Sequence, residues 1–162
     1  MENSRTSNEI KPHPSHQCVR LMTLEDVDAV HEIESRCFST PWSKESFVQE
    51  ITSNNLARYM VLELEGQIIA YGGFWIVVDE AHITNIAVDP SMRRRGLGKI
   101  LVKGMIEEIE KTDLDNVTLE VRASNTPAYN LYEGFGFVEA GRRPGYYQSP
   151  KEDAIIMWLK LK

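Results

Sequence analysis

Four residues in the run R-R-R-G-L-G-K, Arg93, Arg94, Gly96 and Gly98, form a pattern suited to holding phosphate. The run follows an apolar stretch, crosses a turn at Asp89-Pro90 and opens into a stripe of helical periodicity. A helix start presents backbone N–H groups that have no partner in their own helix, and its dipole favours negative charge there. Glycine lets a ligand approach the backbone closely because no Cβ intervenes. Two better-known phosphate loops do not fit. A Walker loop needs glycine where Arg93 stands and Ser or Thr where Ile100 stands, and a dinucleotide fingerprint needs a small residue in place of Leu101. The alternative reading is a basic turn whose glycines merely start a helix.

Two side chains downstream could move protons. Glu120 lies on a stretch where Val117, Leu119 and Val121 alternate with Thr118, Glu120 and Arg122, which predicts a strand over 116–122. An internal parallel strand is covered on both faces, so a carboxylate there needs a reason. The competing reading is a glutamate facing solvent. Tyr132 offers a phenol that is protonated at neutral pH, with a reference pKa of about 10. It shares a helical stripe with Ala128, Leu131 and Phe135, so a plain core tyrosine is the alternative.

The elements that must place these residues follow from periodicity. Residues 81–88 predict a strand, and Leu97, Ile100, Leu101, Met105 and Ile109 predict a helix directly after the loop. The order strand, loop, helix, strand from 81 to 122 implies a right-handed crossover and a parallel pair. If those strands part near Ile86, Ala87 and Val88, unpaired N–H groups face a cleft at their carboxyl ends, the usual ligand position in α/β sheets. Upstream, a short strand over 18–22 precedes a helix from Thr23 to about Arg36. Pro41-Trp42-Ser43 breaks it before a second short helix, and Trp42 either packs or lines a groove. Strands at 59–64 and 67–78 flank a Glu65-Gly66 turn. Downstream, Asn125 caps a helix with Pro127 near its start and Gly134 and Gly136 at its exit. Residues 137–140 and 154–161 predict a closing antiparallel pair, joined by a loop over 142–151. The expected class is α/β, a mixed and mostly antiparallel sheet with a central parallel pair and helices on both faces. A flexible tail over 1–17 precedes one domain over 18–162.

Bulk composition excludes some functions. At 162 residues there is room for one core. A net charge of −6 argues against general nucleic-acid binding and suits a cationic partner. Cys18 and Cys37 lack CxxC spacing and are expected as small buried hydrophobes. His13 and His16, spaced like ligands, stand in a polar stretch without others, so no metal is expected. No apolar run has membrane-spanning length and there is no signal peptide, which leaves the cytoplasm as the expected location.

The segment V-T-L-E-V-R-A-S-N-x-P-A-x-x-L-Y-E-G-F-G-F, Val117 to Phe137, resembles the second half of a GNAT N-acetyltransferase domain. R-R-x-G-x-G resembles that family's coenzyme A pyrophosphate loop. With N-I-A-V-D-P (85–90), G-Y-Y (145–147) and E-D-A-I-I-M (152–157), residues 18–162 are similar to the RimI-type ribosomal-protein alanine N-acetyltransferases. The resemblance implies the GNAT fold, with the parallel pair splayed to hold acetyl-CoA. It implies that Glu120 accepts a proton and that Tyr132 gives one to the coenzyme A thiolate. Ile86, Ala87 and Val88 would contact acetyl-CoA through their backbone. Arg93 with Arg94, Arg95, Gly96, Leu97, Gly98 and Lys99 would hold the pyrophosphate, and Asn125 would touch the cofactor. The acceptor implied is a protein N-terminal amine, that of the alanine of small-subunit ribosomal protein number eighteen. Two rivals remain: a lysine or small-molecule amine as acceptor, and an acyl-CoA-binding module without catalysis.

Overall fold

A computed structural model describes residues 17–161, so the expected tail and its His13 and His16 lie, Gln17 apart, outside the described residues. Gln17 already belongs to the first strand. The strands are β1 (Gln17–Leu21), β2 (Ala57–Leu64), β3 (Gln67–Val77), β4 (Glu80–Val88), β5 (Asn116–Arg122), β6 (Val138–Gln148) and β7 (Lys151–Lys160). The helices are α1 (Val27–Cys37), α2 (Lys44–Ser53), α3 (Leu97–Glu110) and α4 (Thr126–Gly134). They build one seven-stranded sheet in the order β1-β2-β3-β4-β5-β7-β6, antiparallel except where β4 meets β5.

Each face of the sheet buries its own apolar set. Leu101, Val102, Met105 and Ile109 of α3 pack with Val117, Leu119, Val121 and Met157 on one face, joined by Tyr132 and Phe137. Val30 and Ile33 of α1 and Phe47 of α2 pack with Tyr59, Val61 and Tyr71 on the other. At Gly104 an added Cβ would come within 2.5 Å of Val19, so α3 lies against β1 only because that position has no side chain. Helix α2 starts where Ser43 accepts a hydrogen bond from the N–H of Ser46 at 3.1 Å. Ser43→Ala is expected to cost about 1 kcal/mol in urea unfolding. No change would mean that Phe47 packing alone holds α2.

A bulge in β4 decides the geometry of the site. Phe74 pairs with Ile83 and Gly73 with Asn85, which leaves Thr84 unopposed. The extra residue reverses the alternation. Ala81 and Ile83 before it, and Ile86 and Val88 after it, all face α3, while Ala87 turns to the α1 side.

Two expectations need correction. Residues 142–151 are not a loop between short strands, because β6 and β7 pair almost to a two-residue turn at Ser149-Pro150. Pro144 and Gly145 read as loop formers in sequence, but here they sit in a bulge between the Arg143–Ala154 and Tyr147–Glu152 pairs. β6 is the last strand of the sheet, where a residue without an N–H is tolerated. The second concerns cysteine: Cys18 is exposed and Cys37 only half-buried, because β1 is itself an edge strand and Cys37 ends α1 at the surface.

Candidate functional site

β4 and β5 are parallel partners only through Ile83–Leu119. From Thr84 on one strand and Glu120 on the other they part, so the β5-facing N–H groups of the Asn85–Val88 segment have no ladder partner. Ile86, Ala87 and Val88 lie on this separated arm, as the sequence implied. The arm leads into the basic loop, where a single 3-10 turn at Pro90–Met92 precedes Arg93. Arg94 has φ +65° and Gly96 φ +72°, a region that glycine enters without a Cβ penalty. Gly96 is the N-cap of α3, and the first helical bond runs from the N–H of Ile100 to its carbonyl. The N–H groups of Leu97, Gly98 and Lys99 therefore point out of the helix start unpartnered. Arg93, Arg94, Arg95 and Lys99 are exposed around them, while the Leu97 side chain is buried. Gly98 packs beside Leu131 and Val88, where a Cβ would meet only ordinary contacts. This is a cationic, donor-rich mouth at the carboxyl end of β4. The end of α1 braces it: Arg36 bonds Asp89 at 2.9 Å, and the Cys37 thiol reaches the Val88 carbonyl.

Asn125 follows β5 as the N-cap of α4, where its Oδ1 accepts from the N–H of Ala128 at 3.2 Å. Its amide NH2 remains able to donate. Tyr132, one helix face further on, is buried against Phe137, with ring centroids 5.8 Å apart. Burial, with a smaller effect from Tyr147, pushes its phenol well above the ordinary value. Its hydroxyl makes no hydrogen bond to a described residue, yet among the described residues no buried side-chain polar atom is left without a partner, so that hydroxyl keeps an opening.

Glu120 is the first β5 residue beyond the paired stretch. Its side chain is 11% exposed and lies on the α1 face, with His82 Nε2 at 2.5 Å from one oxygen and Arg143 Nε at 3.5 Å from the other. The His82 hydrogen bond first, and then the charges of His82 and Arg143, outweigh burial and hold the carboxyl below its ordinary range. It is ionised at neutral pH. Glu120 and Tyr132 do not bond each other. Tyr147 lies near enough to both to be coupled to their charges, and its own phenol is pushed up to about 12 by burial and by Glu120.

Two residues further along β5, at Arg122, opens a cleft of about 480 Å³ that Glu120 itself does not line; Glu34, Phe38 and Trp42 form one wall and Arg122, Gln148 and Pro150 the other, with Asn85 between. Trp42 serves both readings given to it. It stacks on Phe47 and Tyr59, and it lines the cleft. The α1–α2 wall is pinned by Glu34, which is buried, accepts the Trp42 N–H at 3.2 Å and accepts the Tyr71 hydroxyl. Arg122 pins the opposite wall, donating to the carbonyls of Ser149 and Pro150 while its guanidinium covers the Tyr147 ring at 4.2 Å.

Sequence reasoning passed over His82, Arg143, Arg122 and Glu34. Alternation already put Arg122 on the face of Glu120, which was a usable signal. Nothing local marked His82, which reaches Glu120 only through the parallel register. Among the described residues no group of three or more His, Cys, Asp or Glu could hold a metal ion, and no helix is long and apolar enough to cross a membrane.

Known proteins are similar to this chain in sequence and in fold. The model of the acetyltransferase (GNAT) family matches residues 27–137. The [ribosomal protein bS18]-alanine N-acetyltransferase of Escherichia coli (strain K12) is 43% identical over 140 residues, 84% of this chain and 92% of its own. A provisionally named enzyme of the same kind from Bacillus subtilis (strain 168) is 46% identical over 143 residues, 88% of this chain and 95% of its own. The crystal structure of the Escherichia coli ribosomal-protein-S18-alanine N-acetyltransferase superposes with a TM-score of 0.81 at 38% identity, covering 90% of this chain and 94% of that one.

Proposed function

The chain belongs to the GNAT acetyltransferase family, and from that premise we propose that it transfers the acetyl group of acetyl-CoA to a protein N-terminal α-amine, that of the alanine that begins ribosomal protein bS18. The observation that carries this is the splay of β4 from β5 beyond Ile83–Leu119, with a cationic helix start at one end and a cleft lined by Asn85, Trp42 and Arg122 at its side. Relatives bearing that activity match more than four-fifths of the chain.

In this reading the diphosphate of acetyl-CoA rests on the N–H groups of Leu97, Gly98 and Lys99, with Arg93, Arg94 and Arg95 supplying charge and Asn125 a further contact. The pantetheine arm runs along Ile86, Ala87 and Val88, and a free β4 N–H polarises the thioester carbonyl. The acceptor amine enters through the cleft and attacks that carbonyl directly, in a ternary complex. Its proton passes to Glu120, the C–S bond breaks, and the thiolate is protonated from Tyr132. An α-amine, with a reference pKa near 8 against about 10.4 for lysine, offers far more neutral nucleophile at cellular pH. The acidic body attracts a basic ribosomal N-terminus, and ribosomal proteins place the work in the cytoplasm.

An Ala-starting basic peptide is expected to be acetylated at its α-amine, while its N-blocked, lysine-containing twin is left unmodified. Mass spectrometry of both after incubation with acetyl-CoA checks this. Modification of the blocked twin would point to a lysine acceptor, and modification of neither to a small-molecule acceptor or a non-catalytic module.

A further inference from the structure

We propose that His82 is a positioning residue of the transfer step: its imidazole grips the Glu120 carboxylate and, by holding or losing its own proton, sets the pH above which that carboxylate can relieve the acceptor amine of a proton. The proposal rests on the reading of Glu120 as proton acceptor.

The geometry is a product of the sheet. His82 is the ladder partner of Thr118, so Glu120, two residues on, rises on the same face. The imidazole belongs to the last rungs of the parallel β4–β5 ladder, while Glu120, still paired with Ile156 of β7, is the first β5 residue without a β4 partner. Nε2 lies 2.5 Å from Oε2, and the histidine side chain, at 28% exposure against 11% for the glutamate, is the partner open to solvent protons.

Acid–base chemistry supplies the consequence. A carboxylate near its reference value of about 4.3 is a weak base toward an ammonium near 8, and cations beside it make it weaker. Arg143 is a permanent cation at 3.5 Å. The imidazole is not permanent, because histidine is the side chain that ordinarily changes charge between about pH 5 and 8. While it is charged, Glu120 holds protons poorly. Once it is neutral, that restraint lifts, the hydrogen bond persists, and turnover rises with pH. The other titratable groups facing the pair are few. Tyr147 from β6 is coupled to Glu120 and stays neutral through this range. Alternation puts Glu80 on the His82 face of β4. The carboxylates that α1 and α2 turn toward this side of the sheet are engaged elsewhere: Glu34 with Tyr71 and Trp42, and Glu50 with Tyr59 and Asn54.

The test is kcat against pH from about 5 to 9, with saturating acetyl-CoA and an Ala-starting peptide, for the wild type, His82→Gln, His82→Ala and Glu120→Gln. Coenzyme A affinity is followed by calorimetry. The wild type is expected to show an acid limb of unit slope. Glutamine can still donate to Oε2 but carries no charge, so His82→Gln is expected to lose that limb while the peptide KM and coenzyme A affinity change less than about threefold. His82→Ala is expected to lose the limb and also fall below His82→Gln at every pH, because Glu120 is released. A wild-type limb in His82→Gln, or turnover of His82→Ala equal to that of His82→Gln at every pH, overturns the proposal. Full turnover in Glu120→Gln overturns instead the reading of Glu120 on which it rests.

Discussion

Replacing Glu120 with glutamine is expected to lower kcat by roughly 10²–10⁴-fold near neutral pH, the usual worth of a general acid–base group. Glutamine keeps the size of the side chain and can still bond Arg143 or His82 through one atom, so the fold and coenzyme A affinity should change little. The loss should appear in kcat more than in either KM, because in the proposed mechanism the proton leaves the amine only as the bond to carbon forms. Full turnover would return Glu120 to the status of a glutamate held by two cations for stability alone. The same pairing has a second reading in acid unfolding. His82 and Arg143 depress the Glu120 carboxyl in the folded state, so its stabilising effect is present above the unfolded value and is lost as pH falls through the folded one. The glutamine variant should lack that part of the acid sensitivity.

Tyr132→Phe is expected to lose a comparable factor, about 10²–10⁴ in kcat, with unfolding little changed. Phenylalanine preserves the packing against Phe137 and removes only the hydroxyl. Because burial pushes the phenol up, it stays protonated across any practical assay range, so no basic limb should come from its ionisation. In the proposed mechanism Tyr132 is a donor whose hydrogen bond strengthens as the thiolate develops charge. Thermal unfolding and steady-state kinetics on the same preparation separate this from a core role. Full activity with lowered stability would mean that the tyrosine is there for its ring.

Much of the fold was legible because its signals are local. The Leu97–Ile109 stripe, the alternation over 116–122, the Ser43 and Asn125 caps and the Glu65-Gly66 turn each need only a few neighbouring residues to be read, and each element formed where it was expected. The β6–β7 hairpin was misread for the same reason. Pro144 and Gly145 carry a strong local preference, and pairing with β7 along an edge overrode it with a bulge. The bulge at Thr84 left no mark, since one extra residue in an apolar strand looks like any other.

By itself the sequence determined most of the helices and strands, that a basic glycine run would start a helix, and that one carboxylate and one phenol were candidates to carry protons. Those properties are written in residue type and short spacing. Only the tertiary structure decided how β4 and β5 part, that His82 bonds a glutamate 38 residues away, and that Glu34 holds the backbone of Trp42 at the cleft wall. The reason is physical: such contacts depend on strand register and sheet order, which arise from the packing of the whole chain.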